Sequence, residues 1–213
     1  MFTMSKTEVF NEVNQTLGQT ALISDANTNM DRTAIIIRNS FNKELRKLIQ
    51  KYAWNCYRSR IELELFKENP TKEWQYAYRY PLNAGNLLAI SCDNIITDET
   101  FSKKQLMLPY KIERYDSTTI VVYTNVPHAW GIITYIPDEN DGFDLNFGSA
   151  LAASIAEKVA PAIITNNYFK INDALIRDIR IIISDAVAND ASLFPLHDTN
   201  TSEGVVFRNS FDY

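Results

Sequence analysis

The chain contains little cysteine and little histidine, and this scarcity limits the chemistry that it can perform. Its 213 residues include two cysteines, Cys56 and Cys92, and two histidines, His128 and His197. Two isolated cysteines form neither a disulfide framework nor a zinc site, and no ligand stands at metal-binding spacing from either histidine. We therefore predict no metal site and expect both thiols to be reduced, as in a cytoplasm.

Glycine is also scarce, with six in the chain. None belongs to a phosphate-binding loop, and no Gly-x-Ser-x-Gly elbow marks a nucleophilic serine. The acidic loop 138–144 approaches a calcium pattern, but its glycine stands at position 5 instead of 6, and Ser149 replaces the glutamate of position 12. Glu62 and Glu64 could be imagined as a carboxylate pair, although a solvated strand face needs no such role. We predict no cofactor and no catalytic residue.

The sequence lacks long apolar runs and an excess of positive charge. No run approaches the roughly 18 apolar residues of a membrane span, and residues 1–6 do not resemble a signal peptide. The net charge of −5 argues against a protein that neutralises many phosphates. Five cations do cluster, but we expect them on the solvated side of a helix. They are Arg38, Lys43, Arg46, Lys47 and Lys51.

The chain is instead rich in aromatic residues, and four of them follow a strict alternation. Trp74, Tyr76, Tyr78 and Tyr80 stand at every second position, and Pro81 ends the run. Alternate residues of a β-strand share one face, and a proline cannot donate to the ladder. The pattern predicts a strand whose four aromatic side chains lie on one face.

Helical periodicity marks both ends of the chain. The longest stripe steps by three and four through Ala34, Ile37, Phe41, Leu45, Leu48 and Tyr52. Gly18 is placed to close the first helix, the loop 24–29 to cap the second and Asp144 to cap the third. Pro161 should kink or divide the alanine-rich helix. We predict helices at about 7–18, 28–53, 144–165 and 172–188.

The middle of the chain, about 57–137, has the period of strands. Ile61, Leu63 and Leu65 alternate with polar residues, which predicts one strand with a solvated face. Three further strands are expected at 110–115, 118–124 and 130–136, with a tight turn at Asp116-Ser117. The connections are too short for crossover helices, so we expect one small antiparallel sheet. The fold class is α+β: a helical bundle from the terminal helices with this sheet inserted.

We expect residues 1–190 to form a single domain and residues 191–213 an extended C-terminal arm. The arm has no period but is richer in aromatic residues than a disordered tail. We interpret it as a segment that orders against a partner or a neighbouring subunit, or alternatively as a flap over its own domain. The candidate assembly contacts are Phe194, Phe207, Phe211 and Tyr213.

The order of these landmarks over about 9–188 resembles the tail tubular protein A family, the head-to-tail adaptors of short-tailed bacteriophages. The similar motifs are Val13-Asn14, Leu17-Gly18, Trp54-Asn55-Cys56, Trp74-Gln75-Tyr76-Ala77-Tyr78-Arg79-Tyr80-Pro81, Tyr110-Lys111-Ile112-Glu113, Val122-Tyr123, Tyr135-Ile136-Pro137, Phe143-Asp144-Leu145-Asn146-Phe147 and Ala150-Leu151-Ala152-Ala153-Ser154-Ile155-Ala156. The resemblance does not cover 93–108 or the arm.

The resemblance implies a structural virion protein made in the host bacterial cytoplasm and placed at the head-tail junction. Twelve copies would form a ring that joins the portal protein to the tail nozzle and lines the channel through which DNA passes. A ring needs one face of each copy to bind a different face of the next. A non-catalytic binding module or assembly chaperone is the alternative, and an enzyme with an unrecognised site is a third interpretation.

Overall fold

The computed structural model describes residues 3–92, 108–138, 142–164 and 168–193, with the backbone alone for 168–172 and 193. Within these ranges the protein combines helices with small antiparallel sheets, as the sequence predicts.

Four α-helices, two near each end of the described chain, supply most of the apolar core. Their bounds are Lys6–Thr16 (α1), Arg32–Lys51 (α2), Leu145–Ile163 (α3) and Tyr168–Leu193 (α4). α3 contacts each of the other three, and its buried alanines allow close approach. Among the described residues, no helix is both long and apolar enough to cross a bilayer.

α1 has a capping motif at each end. The Ser5 N–H donates to Glu8 Oε2 at 2.6 Å, and the Glu8 N–H donates to Ser5 Oγ at 3.2 Å, which is a capping box. Gly18 has a φ of +69°, and the Gln19 N–H donates back to the Asn14 carbonyl at 2.8 Å. The left-handed glycine thus closes the helix, as predicted.

α2 begins at Arg32 rather than near residue 28. In the preceding loop, Asp25 Oδ1 accepts the Asn27 N–H and Asn29 Oδ1 accepts the Asp31 N–H, each at 2.8 Å. These hydrogen bonds join residues two positions apart and give the backbone N–H groups acceptors outside a helix, so the residues stay in the loop.

The last two helices also differ from the predicted bounds. Pro161 does not divide α3, because it lies in the final turn and the helix ends at Ile163. α4 runs over Tyr168–Leu193, beyond the predicted 172–188 at both ends. Residues 191–193, which the sequence assigned to the arm, therefore belong to a helix.

The described residues contain nine strands. Their bounds are Thr3–Met4 (β1), Arg58–Glu62 (β2), Leu65–Glu68 (β3), Tyr76–Arg79 (β4), Ala84–Ser91 (β5), Tyr110–Arg114 (β6), Ile120–Thr124 (β7), Trp130–Tyr135 (β8) and Phe143–Asp144 (β9). β1 pairs with β9, while the others form a three-stranded sheet in the order β2-β8-β5 and a four-stranded sheet in the order β3-β4-β7-β6. All pairings are antiparallel.

The β-rich region therefore holds two sheets where the sequence predicted one. The chain passes between them at Leu63 and Glu64, which separate β2 from β3. The Leu63 N–H donates to the Ala129 carbonyl at 2.9 Å, and the Glu64 carbonyl accepts the Arg79 N–H at 2.8 Å. The alternation over 61–65 thus spans two strands that belong to different sheets. Their pairing partners, β8 for β2 and β4 for β3, lie far away in the sequence.

The aromatic strand is β4, and it is shorter than predicted. Tyr76 and Tyr78 lie on one face with ring centroids 6.3 Å apart, and Tyr80 packs in the same cluster. Trp74 packs in the cluster of the opposite face, so the prediction of one shared face is wrong for this residue. The chain is still turning at Trp74, whose N–H donates to Thr71 Oγ1 at 3.1 Å.

The β6–β7 hairpin turns at Asp116 as predicted, but residues 115–119 connect the two strands, so the connection is longer than the tight turn expected at Asp116-Ser117. Its Oδ1 atom accepts the N–H groups of Thr118 at 2.8 Å and Thr119 at 2.7 Å. These bonds, chiefly that from the Thr118 N–H, lower the pKa of Asp116 to about 2. The charged carboxylate is therefore part of the turn.

α2 meets the three-stranded sheet at β5. Asn86 Nδ2 donates to the carbonyls of Ile49 at 3.1 Å and Gln50 at 2.9 Å. A Cβ atom on the neighbouring Gly85 would overlap the Cγ2 methyl group of Ile49. Only glycine therefore permits this approach between helix and strand without a shift.

Candidate functional site

The candidate assembly residues Phe194, Phe207, Phe211 and Tyr213 lie outside the described residues. The structure does describe the end of α4 at Leu193 and the bonds that hold this end against the rest of the protein. Those bonds fix the point from which the chain continues into 194–213.

A buried carboxylate holds the C-terminal end of α4. Asp190 is 3% exposed, and its two oxygens accept the N–H groups of Asn55 at 2.6 Å and Cys56 at 2.9 Å. Both donors belong to the 3₁₀ turn Asn55–Tyr57, which links α2 to β2. Because hydrogen bonds to an ionised acceptor are stronger than neutral ones, the carboxylate fastens α4 to this turn.

The charge of Asp190 also acts on two side chains of the turn and of β2. Burial, and then the Asp190 carboxylate, raise the pKa of the Cys56 thiol far above its ordinary value. Since the thiolate is the nucleophilic form, Cys56 is unsuited to covalent catalysis. Burial lowers the pKa of the Arg58 guanidinium, and the negative charge of Asp190 opposes this shift.

Tyr57 connects the same turn to α3 and to the three-stranded sheet. Its hydroxyl oxygen accepts the Asp144 N–H at 3.0 Å. Asp144 caps α3, since its Oδ1 accepts the Asn146 N–H at 3.0 Å. The Tyr57 ring makes edge contacts with Phe147 and Tyr135, at centroid distances of 4.8 and 5.5 Å. Burial raises the pKa of the Tyr57 hydroxyl, which therefore stays protonated at neutral pH.

A second buried carboxylate lies between α2 and α3. Glu44 is 2% exposed, and its Oε2 accepts a bond from Ser154 Oγ at 3.0 Å. Lys47 Nζ lies 3.2 Å from the same oxygen. Within the described part of the chain, neither a carboxylate nor a histidine bonds to Glu44. The arrangement therefore ties two helices and lacks the paired groups of a general acid–base site.

Two open cavities of about 750 and 470 Å³ adjoin on the β-rich region. Both cavities are lined by Glu62, Leu63 and Glu64. The segment that connects the two sheets therefore lies at the boundary between the two cavities. We call the combined depression the acidic groove. Exposed apolar side chains line it as well, namely Leu65, Leu82, Ile120 and Tyr135.

Carboxylates dominate the charge of the acidic groove. Glu62, Glu64 and Glu68 line it, and Arg79 is the one guanidinium in the lining. Arg79 Nε lies 3.4 Å from Glu64 Oε1, but both side chains are largely exposed, so the pair contributes only about 0–1 kcal/mol. Glu62 and Glu68 have no ion-pair partner among the described residues. The groove is open, and it does not enclose the two carboxylates that the sequence suggested as a pair.

The solvent side of α2 carries the predicted cationic cluster. Lys43, Arg46, Lys47 and Lys51 are exposed, as expected. Arg38 is half-buried instead, and its guanidinium donates to loop carbonyls, including that of Ala26 at 2.8 Å. We call the exposed cations of α2, together with Arg32 at its start, the basic face.

His128 lines the smaller cavity. The described residues contain no group of three or more His, Cys, Asp or Glu side chains that could hold a metal ion. The Tyr78 hydroxyl fixes the loop around His128, since it donates to the Val126 carbonyl at 2.7 Å and accepts the Ala129 N–H at 3.4 Å. His197 lies outside the described residues.

Comparison of the chain with protein-family models and with curated proteins finds no match to either.

Neither Asp190 nor Glu44 was predicted from the sequence, because the periodicity of a helix is read from its apolar side chains. Glu44 does stand on the core stripe of α2, three residues after Phe41 and four before Leu48. Asp190 likewise follows the buried Ala186 by one helical turn. A charged residue at a core position of a helix is the cue that would have identified both.

Proposed function

We propose that the chain is a subunit of a head-to-tail adaptor ring of a short-tailed bacteriophage, a structural virion protein without catalytic activity. Twelve copies form the ring below the portal protein, dock the tail nozzle and surround the channel through which DNA leaves. The protein acts at the head-tail junction of the virion, and DNA is a passenger rather than a ligand.

The observation that carries this proposal is the order and packing of the elements. The N-terminal helices and the alanine-rich α3 share one core, while the β-rich region stands between them in the sequence. This order supports the finer organisation expected from the resemblance, a helical bundle with an inserted β region.

The chemistry of the described residues is consistent with a scaffold. The buried polar groups Asp190, Glu44 and Tyr57 each bond to backbone or side-chain groups that join elements to one another. Net negative charge suits the wall of a channel that should not retain DNA.

Single-particle imaging of purified virions and of the purified chain tests the proposal. We expect a ring of this protein between portal and nozzle, and a ring or its intermediates in the purified sample. A strictly monomeric chain that is absent from virions would overturn the adaptor and favour the binding module or assembly chaperone.

Deletion of 194–213 tests the predicted arm separately. Because α4 and the Asp190 bonds remain, we expect cooperative thermal unfolding to persist while incorporation into virions falls. Loss of cooperative unfolding would place these residues in the folded domain and remove the arm from the proposal.

A further inference from the structure

The basic face of α2 is unusual in a chain with a net charge of −5. The helix contains one acidic residue, Glu44, and this residue is buried. Four of the five exposed cations lie within residues 43–51, a stretch of about 12 Å at about 1.5 Å per residue, and Arg32 lies at the start of the helix. Lys43 and Arg46 have no ion-pair partner among the described residues, and Ile35 is an exposed apolar residue on the same stripe. The face combines unpaired positive charge with apolar surface.

The acidic groove has the complementary character. Glu62 and Glu68 are unpaired within the described part of the chain, and Glu64 has only the exposed partner Arg79. Leu82 is 99% exposed at the wall of the larger cavity, and Leu65 lines the smaller one. A partner for this groove would therefore carry cations around an apolar contact.

Within one molecule, no ion pair of the described residues joins the two surfaces. α2 reaches the three-stranded sheet at Asn86, which pairs with Thr134 in the central strand β8. Glu62 belongs to the opposite edge strand and pairs with Trp130, at the other end of β8. The larger cavity of the groove also reaches Asn83 and Tyr135, near the end of the sheet that α2 meets. Since no ion pair among the described residues joins the basic face to the groove, the complementary charges are left to meet between two copies.

We propose that the basic face of α2 docks into the acidic groove of a second copy of this chain. The contact is head-to-tail, because each copy offers a different surface to each neighbour, and repetition of such a contact closes a ring when the rotation allows it. Complementary charge fixes the register of such interfaces and speeds association. This contact rests on the proposed function and supplies the subunit interface of the ring.

Nucleic acid is the other class of partner that a basic face could bind. A phosphate backbone would satisfy Lys43 and Arg46, but it would leave the acidic groove without a partner. A second copy accounts for both surfaces with one contact, which is why the observations favour it.

Charge reversal in the full-length chain tests the contact. One variant carries Lys43→Glu and Arg46→Glu, and the other carries Glu62→Lys and Glu64→Lys. Arg177→Glu with Arg180→Glu, at exposed positions of α4, is a control with the same change of charge as the first variant. Circular dichroism checks that each variant folds, and sedimentation measures self-association over a range of concentrations in low and high salt.

We expect the wild type to self-associate in low salt and less so in high salt, because ions screen exposed charges. Each reversed variant should associate roughly tenfold more weakly or worse, since like charges then face each other. An equimolar mixture of the two variants should regain association, because each basic surface again meets an acidic one, and the control should behave as the wild type.

Three results would overturn the proposal: no self-association of the wild type in low salt, reversed variants that associate as the wild type does, or a mixture that does not recover. Salt-dependent binding of a short DNA duplex, abolished by the first variant while self-association is unchanged, would make the face a nucleic-acid surface instead. Virion rings that tolerate both reversals would overturn this contact and leave the adaptor function intact. If the mixture regained association but the chain were absent from virions, the contact would stand and the adaptor function would be overturned.

Discussion

Replacing Asp190 by asparagine should loosen the end of α4 from the turn that follows α2. The carboxylate accepts two backbone N–H groups, from Asn55 at 2.6 Å and Cys56 at 2.9 Å. An asparagine offers one oxygen and one NH₂ group, so one N–H would lose its acceptor and face a second donor. Arg58, whose Nε is buried without a partner among the described residues, would also lose a nearby negative charge.

The cost follows from these contacts. A hydrogen bond to a charged group contributes about 1.5–3 kcal/mol, and a buried donor left without an acceptor costs a similar amount, so we expect a loss of about 3 kcal/mol in the free energy of unfolding. For a chain of this size each kcal/mol lowers the melting temperature by about 2–4 °C, which predicts a fall of about 6–12 °C.

Urea unfolding followed by circular dichroism measures the loss, and hydrogen exchange locates it. The amides of Asn55 and Cys56 should exchange faster than those in the centre of α2. Asp185→Asn is the matched control, because Asp185 is an exposed carboxylate on the same helix and should change stability by less than about 0.5 kcal/mol. A stability of Asp190→Asn within that margin, or unchanged exchange at the two amides, would refute the reasoning.

Three further substitutions test other contacts by urea unfolding or titration. Gly85→Ala should destabilise by about 1–3 kcal/mol, because the overlapping methyl group sits on a stiff β-branched side chain, whereas Gly148→Ala should cost less because the flexible end of a methionine can move. Tyr78→Phe should cost about 1–2 kcal/mol by leaving a buried carbonyl without its donor. Tyr76→Phe should be nearly neutral, because the Tyr76 hydroxyl makes no comparable bond to another described residue. The pKa of Asp116 is lowered to about 2, so its contribution is present above the unfolded pKa of about 3.9 and is lost as the pH falls through 2. A carboxyl titration of Asp116 by NMR should show that midpoint, and Asp116→Asn should reduce the loss of the free energy of unfolding at low pH. An ordinary midpoint, or an unchanged loss at low pH, would contradict the role of the Asp116 carboxylate in the turn.

Long periodic elements and two of their caps were predictable from the sequence, whereas the cap expected for α2 in the loop 24–29 was wrong: Asp31 precedes the helix and makes no side-chain cap bond. The stripe of α2, the glycine after α1 and the cap at Asp144 all depend on neighbours within one or two turns, so local sequence determines them. Sheet membership was not predictable in the same way. The division between β2 and β3 depends on pairing with β8 and β4, and nothing in the alternation over 61–65 marks it.

The polar features of the candidate site were harder to predict than the apolar ones. Asp190 is buried because it bonds to amides more than a hundred positions away, and Glu44 because Ser154 faces it across two helices. Hydropathy assigns such residues to the surface, and only the fold reveals the donors that compensate their burial. The acidic groove has the same origin, since it brings together side chains from both sheets.

In the turn after α2, the five residues 54–58 contact several different parts of the fold. Trp54 Nε1 donates to the Leu48 carbonyl at 3.2 Å, which closes the end of α2. The amides of Asn55 and Cys56 bind α4, and the hydroxyl of Tyr57 binds the start of α3. Arg58 then opens β2, whose far end carries Glu62 into the acidic groove. Three helices and a sheet are therefore fastened within one short segment, so a substitution in this turn disturbs contacts of α2, α3, α4 and β2 together.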